Sequence, residues 1–179
     1  VREVSARTVD ASDFLDFYPG FGVSTVCAQA EIFGIGCGIV SNNAPIDPAG
    51  AAKVTQFLQL CDQTDLPVVF LQNTTGYLVG KRYEQGGMIK HGAKMIQAVT
   101  NISVPRITVN IGASYGAGNY AMCGRAYDPR LMLSWPSARL AVMGGAQAAK
   151  VLLQIQVGSR KAKGEVVSTE EGAELLRKI

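Results

Sequence analysis

The chain has 179 residues, 47% hydrophobic and 17% charged, with a net charge of +3. That length suits one domain with a sizeable core, and the composition excludes a disordered chain. The charge is too small to indicate a nucleic-acid or membrane-surface partner, and no apolar run nears the roughly 18 residues needed to span a bilayer.

Residues 1–13 read as a polar lead-in, a helix or part of a larger parent chain, without the features of a signal peptide. Residues 23–40 read as a strand pair turning at Glu31 to Gly34, and 41–43 as a turn. Asp47 and Pro48 open a helix as cap and first-turn proline. Its apolar face is Ala51, Val54, Phe57, Leu58 and Cys61. Residues 68–71 form a buried strand after Pro67. A helix over 86–100 follows, with a stripe of Ile89, Ala93, Ile96 and Val99. Strands are predicted at 106–111, 131–135 and 139–143, a Gly-rich turn and short helix at 112–124, and a helix from Gly144 and Gly145 to about 154. The basic stretch after 157 reads as a mobile loop. Ser168 and Glu171 make a capping-box spacing for a last helix, whose end at Ile179 has no C-cap and reads as truncated. Strands alternating with helices predict an α/β layout with crossover connections.

The four cysteines, Cys27, Cys37, Cys61 and Cys123, form no CxxC pair, and His91 is the one histidine, so no metal site is expected. Wide cysteine spacing fits buried, reduced thiols. His91 reads as a helix-face residue. Two short patterns mislead. Residues 112–116 match G-x-S-x-G, but no histidine follows Ser114 to complete a hydrolase order. Residues 116–121 match G-x-G-x-x-A, but no acid stands about 20 residues on, as a dinucleotide site requires. What remains is a set of strand-to-helix turns at 72–76, 112–118 and 143–146. Their glycines admit close backbone approach, and their free N–H groups suit developing negative charge, the geometry of an oxyanion hole. The bland alternative is tight helix–strand packing.

Three motifs in order, FLQNTTGYLVG (70–80), SYGAGNYAMCGRAY (114–127) and WPSARLAVMGG (135–145), resemble the carboxyltransferase β subunit of biotin-dependent acyl-CoA carboxylases, in the methylcrotonyl-CoA and geranyl-CoA branch. HGAKMIQAVTN (91–101) leans toward the geranyl-CoA side, and the similarity runs from about residue 10 to about 155. The resemblance implies a crotonase-like (ClpP/crotonase) α/β fold of stacked β-β-α units. Residues 1–179 would be a single domain, the C-terminal one of two, truncated at its end. It implies carboxyl transfer from N1′-carboxybiotin to an acyl-CoA of the 3-methylcrotonyl-CoA or geranyl-CoA type. In that chemistry the cofactor removes the substrate proton and the protein supplies oxyanion donors.

By the same resemblance, the N–H groups of Ala117 and Gly118 hold the biotin ureido oxygen. Gln72, Asn73, Thr74, Thr75 and Gly76 line the biotin side with Gly116, and Gly144 and Gly145 bring the next helix start near. Arg125, Tyr120 and Trp135 are packing positions. Biotin rides on a partner subunit or domain. The implied partners are the N-terminal carboxyltransferase domain, the biotin carboxylase/biotin carrier subunit and further copies of the chain; the implied compartment is a bacterial cytoplasm or the mitochondrial matrix. Where the family reads MetGlyGlyGluGlnAla, this chain has Ala146 in place of Glu. The competing expectations are a crotonase-fold acyl-CoA hydratase or hydrolase without biotin, which wants a placed carboxylate, and a non-catalytic assembly domain.

Overall fold

A computed structural model describes residues 1–164. The chain forms two compact units, Val1–Ala141 and Val142–Ile179. In the first, a mixed sheet runs in the order β1-β2-β3-β4-β5-β6, with β7 also paired to β5. The strands are β1 (Phe14–Asp16), β2 (Thr25–Ile32), β3 (Ile35–Asn42), β4 (Val68–Thr74), β5 (Arg106–Tyr115), β6 (Leu131–Ser134) and β7 (Arg139–Ala141). β1, β2 and β3 pair antiparallel, and the pairs from β3 onward are parallel. Parallel pairs need crossovers. Helices α2 (Pro48–Gln63), α3 (Lys81–Gln85) with α4 (Met88–Asn101), and α5 (Gly116–Ala121) supply them, while α1 (Arg2–Thr8) leads in.

The β2–β3 hairpin turns on Phe33 and Gly34, both at positive φ (53° and 71°). That matches a primed two-residue turn, strained at the non-glycine position. The Asp10 carboxylate accepts from both turn N–H groups, at 3.0 and 2.7 Å, and so holds it. α2 starts as its sequence predicts. Asp47 Oδ1 accepts from the Gly50 N–H at 2.7 Å, and Ala51, Val54, Phe57, Leu58 and Cys61 are all fully buried. They pack with Cys27, Val40, Phe70, Met95 and Val99 into the main core on one sheet face. A smaller cluster of Val9, Cys37, Ile39 and Leu71 covers the other. All four cysteines are free and buried.

Two sequence expectations are corrected. The helix expected over 86–100 is present as α4, but it starts at Met88, with Gly87 left-handed at φ 85° as its N-cap, and the face it buries differs from the expected stripe. Its buried face is Met88, Gly92, Met95, Ala98 and Val99, while Ile89 is 78% exposed. Gly92 belongs to that face because the Tyr77 ring lies where a side chain would start, 3.3 Å from an ideal Cβ. A periodicity search that scores only apolar side chains passes over such a glycine.

The second correction concerns the second unit, where α6 spans Gly145–Ala162, so the helix runs on through the basic stretch read as a loop. Lys and Arg are good helix formers, and Arg160 and Lys161 in the last turn complement the helix dipole. The expected last helix with Ser168 and Glu171 lies outside the described residues. Among those residues no helix is long and apolar enough to cross a membrane.

Candidate functional site

The site is built where β4 and β5 end side by side. Their register runs Gln72↔Asn110 and then Thr74↔Ser114, so Asn73 alone faces the three residues 111–113 of β5. This is a bulge, which bends the longer strand. Asn73 plugs it. Its Oδ1 accepts from the Ala113 N–H at 3.1 Å, and its Nδ2 donates to Asn43 Oδ1 at 2.9 Å. A side chain at Gly112 would collide with Asn73 Oδ1. Before the bulge β5 pairs with β6, and after it with β7. The residues of β5 beyond the bulge thus stay paired to Thr74 of β4 on one side and take β7 as their partner on the other.

Both strands then end in glycine turns. Gly76 has φ 118° and Gly116 φ 53°, values open chiefly to glycine. The turns touch through Gly118. A Cβ there would lie 2.7 Å from Thr74 Cγ2, 2.8 Å from Gly76 Cα and 3.0 Å from Gly76 N. The Ala117 and Gly118 N–H groups lie in the first turn of α5, where a helix provides no intrahelical acceptor. Ala117 and Thr75 are exposed beside the buried Gly76 and Gly118.

Beneath α5 lies a ring of buried polar side chains. Gln72 Nε2 donates to the Met122 carbonyl at 2.5 Å, and Gln72 Oε1 accepts from the Ser114 hydroxyl at 2.5 Å. Asn119 Nδ2 donates to Ser114 Oγ at 2.8 Å and approaches Gln72 Oε1 at 3.5 Å. The Thr108 hydroxyl donates to the Cys123 carbonyl at 2.7 Å. Burial pushes the Cys123 thiol above its ordinary range, with the Thr108 bond and Arg106 opposing. Ser114 is thus committed to amides, with no imidazole beside it, and the G-x-S-x-G match presents no nucleophile.

The structure brings Gln72–Gly76 and Gly116–Gly118 together but gives their side chains different surroundings. Gln72 and Thr74 are buried, and Thr74 Oγ1 accepts from the Gly76 N–H at 3.1 Å, tying the turn. Asn73 serves the bulge. Gly144 and Gly145 belong to the second unit, as N-cap and first residue of α6. Ser114 and Asn119 carry structural bonds that sequence reasoning missed, since partners 42 and 5 residues apart leave no periodic signal. His91 sits half-buried on α4, its ring against Gly87. Tyr120 meets Tyr127 edge-on at 5.9 Å, whereas Arg125 is exposed and Trp135 is 45% exposed. A separate cleft of about 750 Å³, lined in part by Asp10, Phe14, Glu31 and Thr64, shares no residue with this site.

The family model "Carboxyl transferase domain" matches residues 1–178. The chain is 53% identical over 167 residues, 93% of its length and 32% of the relative's, to a probable biotin-dependent acyl-coenzyme A carboxylase beta2 subunit of Mycobacterium tuberculosis. It is 50% identical over all 179 residues, 31% of the relative's length, to a probable mitochondrial methylcrotonoyl-CoA carboxylase beta chain of Drosophila melanogaster. The solved geranyl-CoA carboxylase beta subunit of P. aeruginosa matches with a TM-score of 0.88 and 52% identity, over 98% of this chain and 33% of that one. The chain therefore spans about a third of the length of these relatives. It belongs to the carboxyl transferase domain family, and its fold is the crotonase-like one expected from the resemblance.

Proposed function

We propose that this member of the carboxyl transferase family is the biotin-side half of an acyl-CoA carboxylase active site. Within a longer subunit it moves a carboxyl group from N1′-carboxybiotin to an acyl-CoA of the 3-methylcrotonyl-CoA or geranyl-CoA type. The observation that carries this reading is the 52% identity to a geranyl-CoA carboxylase beta subunit over 98% of the chain, at a TM-score of 0.88. One family model across residues 1–178 supports reading both compact units as one domain.

The residues at the two glycine turns fit the group. The Ala117 and Gly118 N–H groups stand in the first turn of α5, where a helix provides no intrahelical acceptor, and the two turns meet closely at Gly118 and Gly76. When bound, biotin supplies the carboxyl group at N1′ and takes the substrate proton. This chain's part is then to bind and orient. The two N–H groups hold the ureido oxygen and stabilise negative charge developing on it. Gly76 and Gly116 keep the approach open, and Thr75 borders it. The hydratase alternative needs a carboxylate here, but 112–124 and 135–150 contain none, and Asp128 lies past α5 on an exposed turn.

The partners in this reading are the N-terminal carboxyltransferase domain, the subunit bearing biotin and further copies of the chain. The compartment is a bacterial cytoplasm, with the mitochondrial matrix as the alternative. The test uses the full subunit. Decarboxylation of 3-methylglutaconyl-CoA and of carboxygeranyl-CoA is followed with free biocytin as acceptor. Biocytin-dependent turnover is expected, and the preferred thioester names the branch. No turnover by an assembled, folded subunit overturns the reading.

A further inference from the structure

We infer that Gln72, Ser114 and Asn119 are positioning residues for carboxyl transfer, acting through the ring of hydrogen bonds that fixes the Gly116–Gly118 turn. The inference rests on the carboxyltransferase reading and names what aims its donors.

α5 has six residues. A helix that short does not hold itself, because nucleation is unfavourable and few bonds form. Its position comes from outside. Ser114 anchors the strand that enters it, Asn119 ties its middle, and Gln72 and Thr108 hold the Met122 and Cys123 carbonyls where it ends. Gln72 does this from the neighbouring strand, 50 residues away from Met122. The donor sense of the ring has one solution. The Met122 carbonyl needs a donor, so the Gln72 NH2 faces it, and Oε1 is left to accept from Ser114. Ser114, having donated, accepts from Asn119. Gln72 is fully buried and Ser114 is 1% exposed, so water does not substitute for a lost partner. A ring with one solution holds one turn geometry, and small misplacements of donors lower kcat sharply.

That one-solution property gives a specific test. Glu in place of Gln72 has the same shape. Protonated, it donates to Met122 and accepts from Ser114, restoring the ring. Ionised, it has no donor and sets a charge against the Met122 carbonyl. Burial raises its pKa above the ordinary value of about 4.3, with the Ser114 hydroxyl bond opposing, and so moves deprotonation toward the pH range of the assay.

The full subunit is assayed for biocytin-dependent decarboxylation of whichever thioester the wild type turns over, from about pH 6 to about pH 9, well below each protein's Tm. For Gln72→Glu the ratio of its kcat to wild type should fall by about 10–100-fold as pH rises, with KM for the thioester unchanged. A ratio constant across pH, or a rise in KM at unchanged kcat, overturns the inference. Should Gln72→Glu fail to fold, Ser114→Ala carries the test. A lower kcat at unchanged KM and near-native Tm sustains it, and an unchanged kcat overturns it. The two failures are distinguishable: an inactive wild type sinks the carboxyltransferase reading and this inference with it. An active wild type with a flat Gln72→Glu profile sinks the inference alone.

Discussion

Two fully buried polar side chains approach the main core of the first unit, and they are treated in opposite ways. Gln72 on β4 has both amide atoms hydrogen-bonded. Lys53 on α2 is 1% exposed, and its Nζ finds no hydrogen-bond partner among the described residues. The titratable groups that act on it electrostatically are the Cys27 thiol, Asp16, Arg2 and Asp47. Asp16 Oδ2 accepts from Arg2 Nε at 2.9 Å, while its Oδ1 and the Thr25 hydroxyl are likewise buried without hydrogen-bond partners among the described residues. A buried polar group that is partnered organises its surroundings, and one left unpartnered carries its desolvation penalty uncompensated. The difference separates a device that aims a site from a feature that only lowers stability.

The largest expected effect breaks the partnered region at its tightest point. Gly118→Asp places a Cβ within 3.0 Å of Thr74 and of the Gly76 backbone, so the turns must separate. Overpacking of about 3 kcal/mol, with complete loss of biocytin-dependent turnover, is expected by denaturation and assay. Because fold and activity fail together there, the charge test belongs at the neighbouring donor. Ala117 is exposed and already carries a Cβ. Ala117→Asp should keep Tm within a few degrees, since a first-turn acid suits a helix, yet abolish turnover by setting a carboxylate where an oxyanion is to bind. Normal turnover by that folded variant removes the oxyanion assignment.

Next in size come two matched substitutions with opposite expected signs. Gln72→Leu strips partners from the Met122 carbonyl and the Ser114 hydroxyl and should destabilise by about 2–3 kcal/mol. Lys53→Met keeps an unbranched chain of similar volume, removes the unpartnered amine and should stabilise by about 1 kcal/mol. Two destabilisations of equal size would erase the comparison. pH sharpens it. Burial first of all holds the Lys53 pKa below 10.5, against the opposing pull of Cys27 and Asp16. Between the folded value and 10.5 the unfolded chain binds the extra proton, so stability rises with pH. Cys27, raised above 9.0 by burial, acts the other way, but only above 9.0, where the unfolded thiol ionises. Below 9.0, then, any upward slope in unfolding free energy that Lys53 produces should vanish in Lys53→Met.

How much of this is legible in the sequence depends on the range of the interactions. The α2 start and its five buried positions are local facts, and a capping Asp, a first-turn Pro and a 3.6-residue period are enough to read them. The motifs at 70–80 and 114–127 point to the two turns that meet. The stripe on α4 reads wrongly because its buried face includes Gly92, chosen by a distant tyrosine ring. Within 72–76 the surroundings of the side chains differ in a way no local pattern predicts: Thr75 is exposed, while Gln72 and Thr74 are buried. Alternation along β4 and the bulge at Asn73 send the Gln72 and Thr74 side chains inward, and both depend on β5. The Gln72–Ser114–Asn119 ring joins two strands and a helix, and no window of local sequence contains it.

The smallest expected effects carry the contrast of partnered and unpartnered groups to the helix ends. The N-terminus of α2 is capped by the Asp47 carboxylate. That of α6 has Gly144 as its N-cap, no side-chain cap bond and no acid in its first turn, where Ala146 stands. Unpartnered first-turn N–H groups exposed to water forgo only the net gain of a bond, whereas the Gly50 N–H is part-buried and has Asp47 as its acceptor. Asp47→Ala should therefore lower stability by about 1 kcal/mol. Ala146→Glu should raise the helicity of α6 by about 0.3–0.5 kcal/mol at low salt, and the gain should shrink as salt screens the dipole. Thermal melts of the two variants at low and high salt separate the cases. The loss at Asp47 comes mainly from a hydrogen bond and persists in salt, while the gain at Ala146→Glu is electrostatic and fades. A salt-independent gain at 146 would mean that the carboxylate had found a donor of its own.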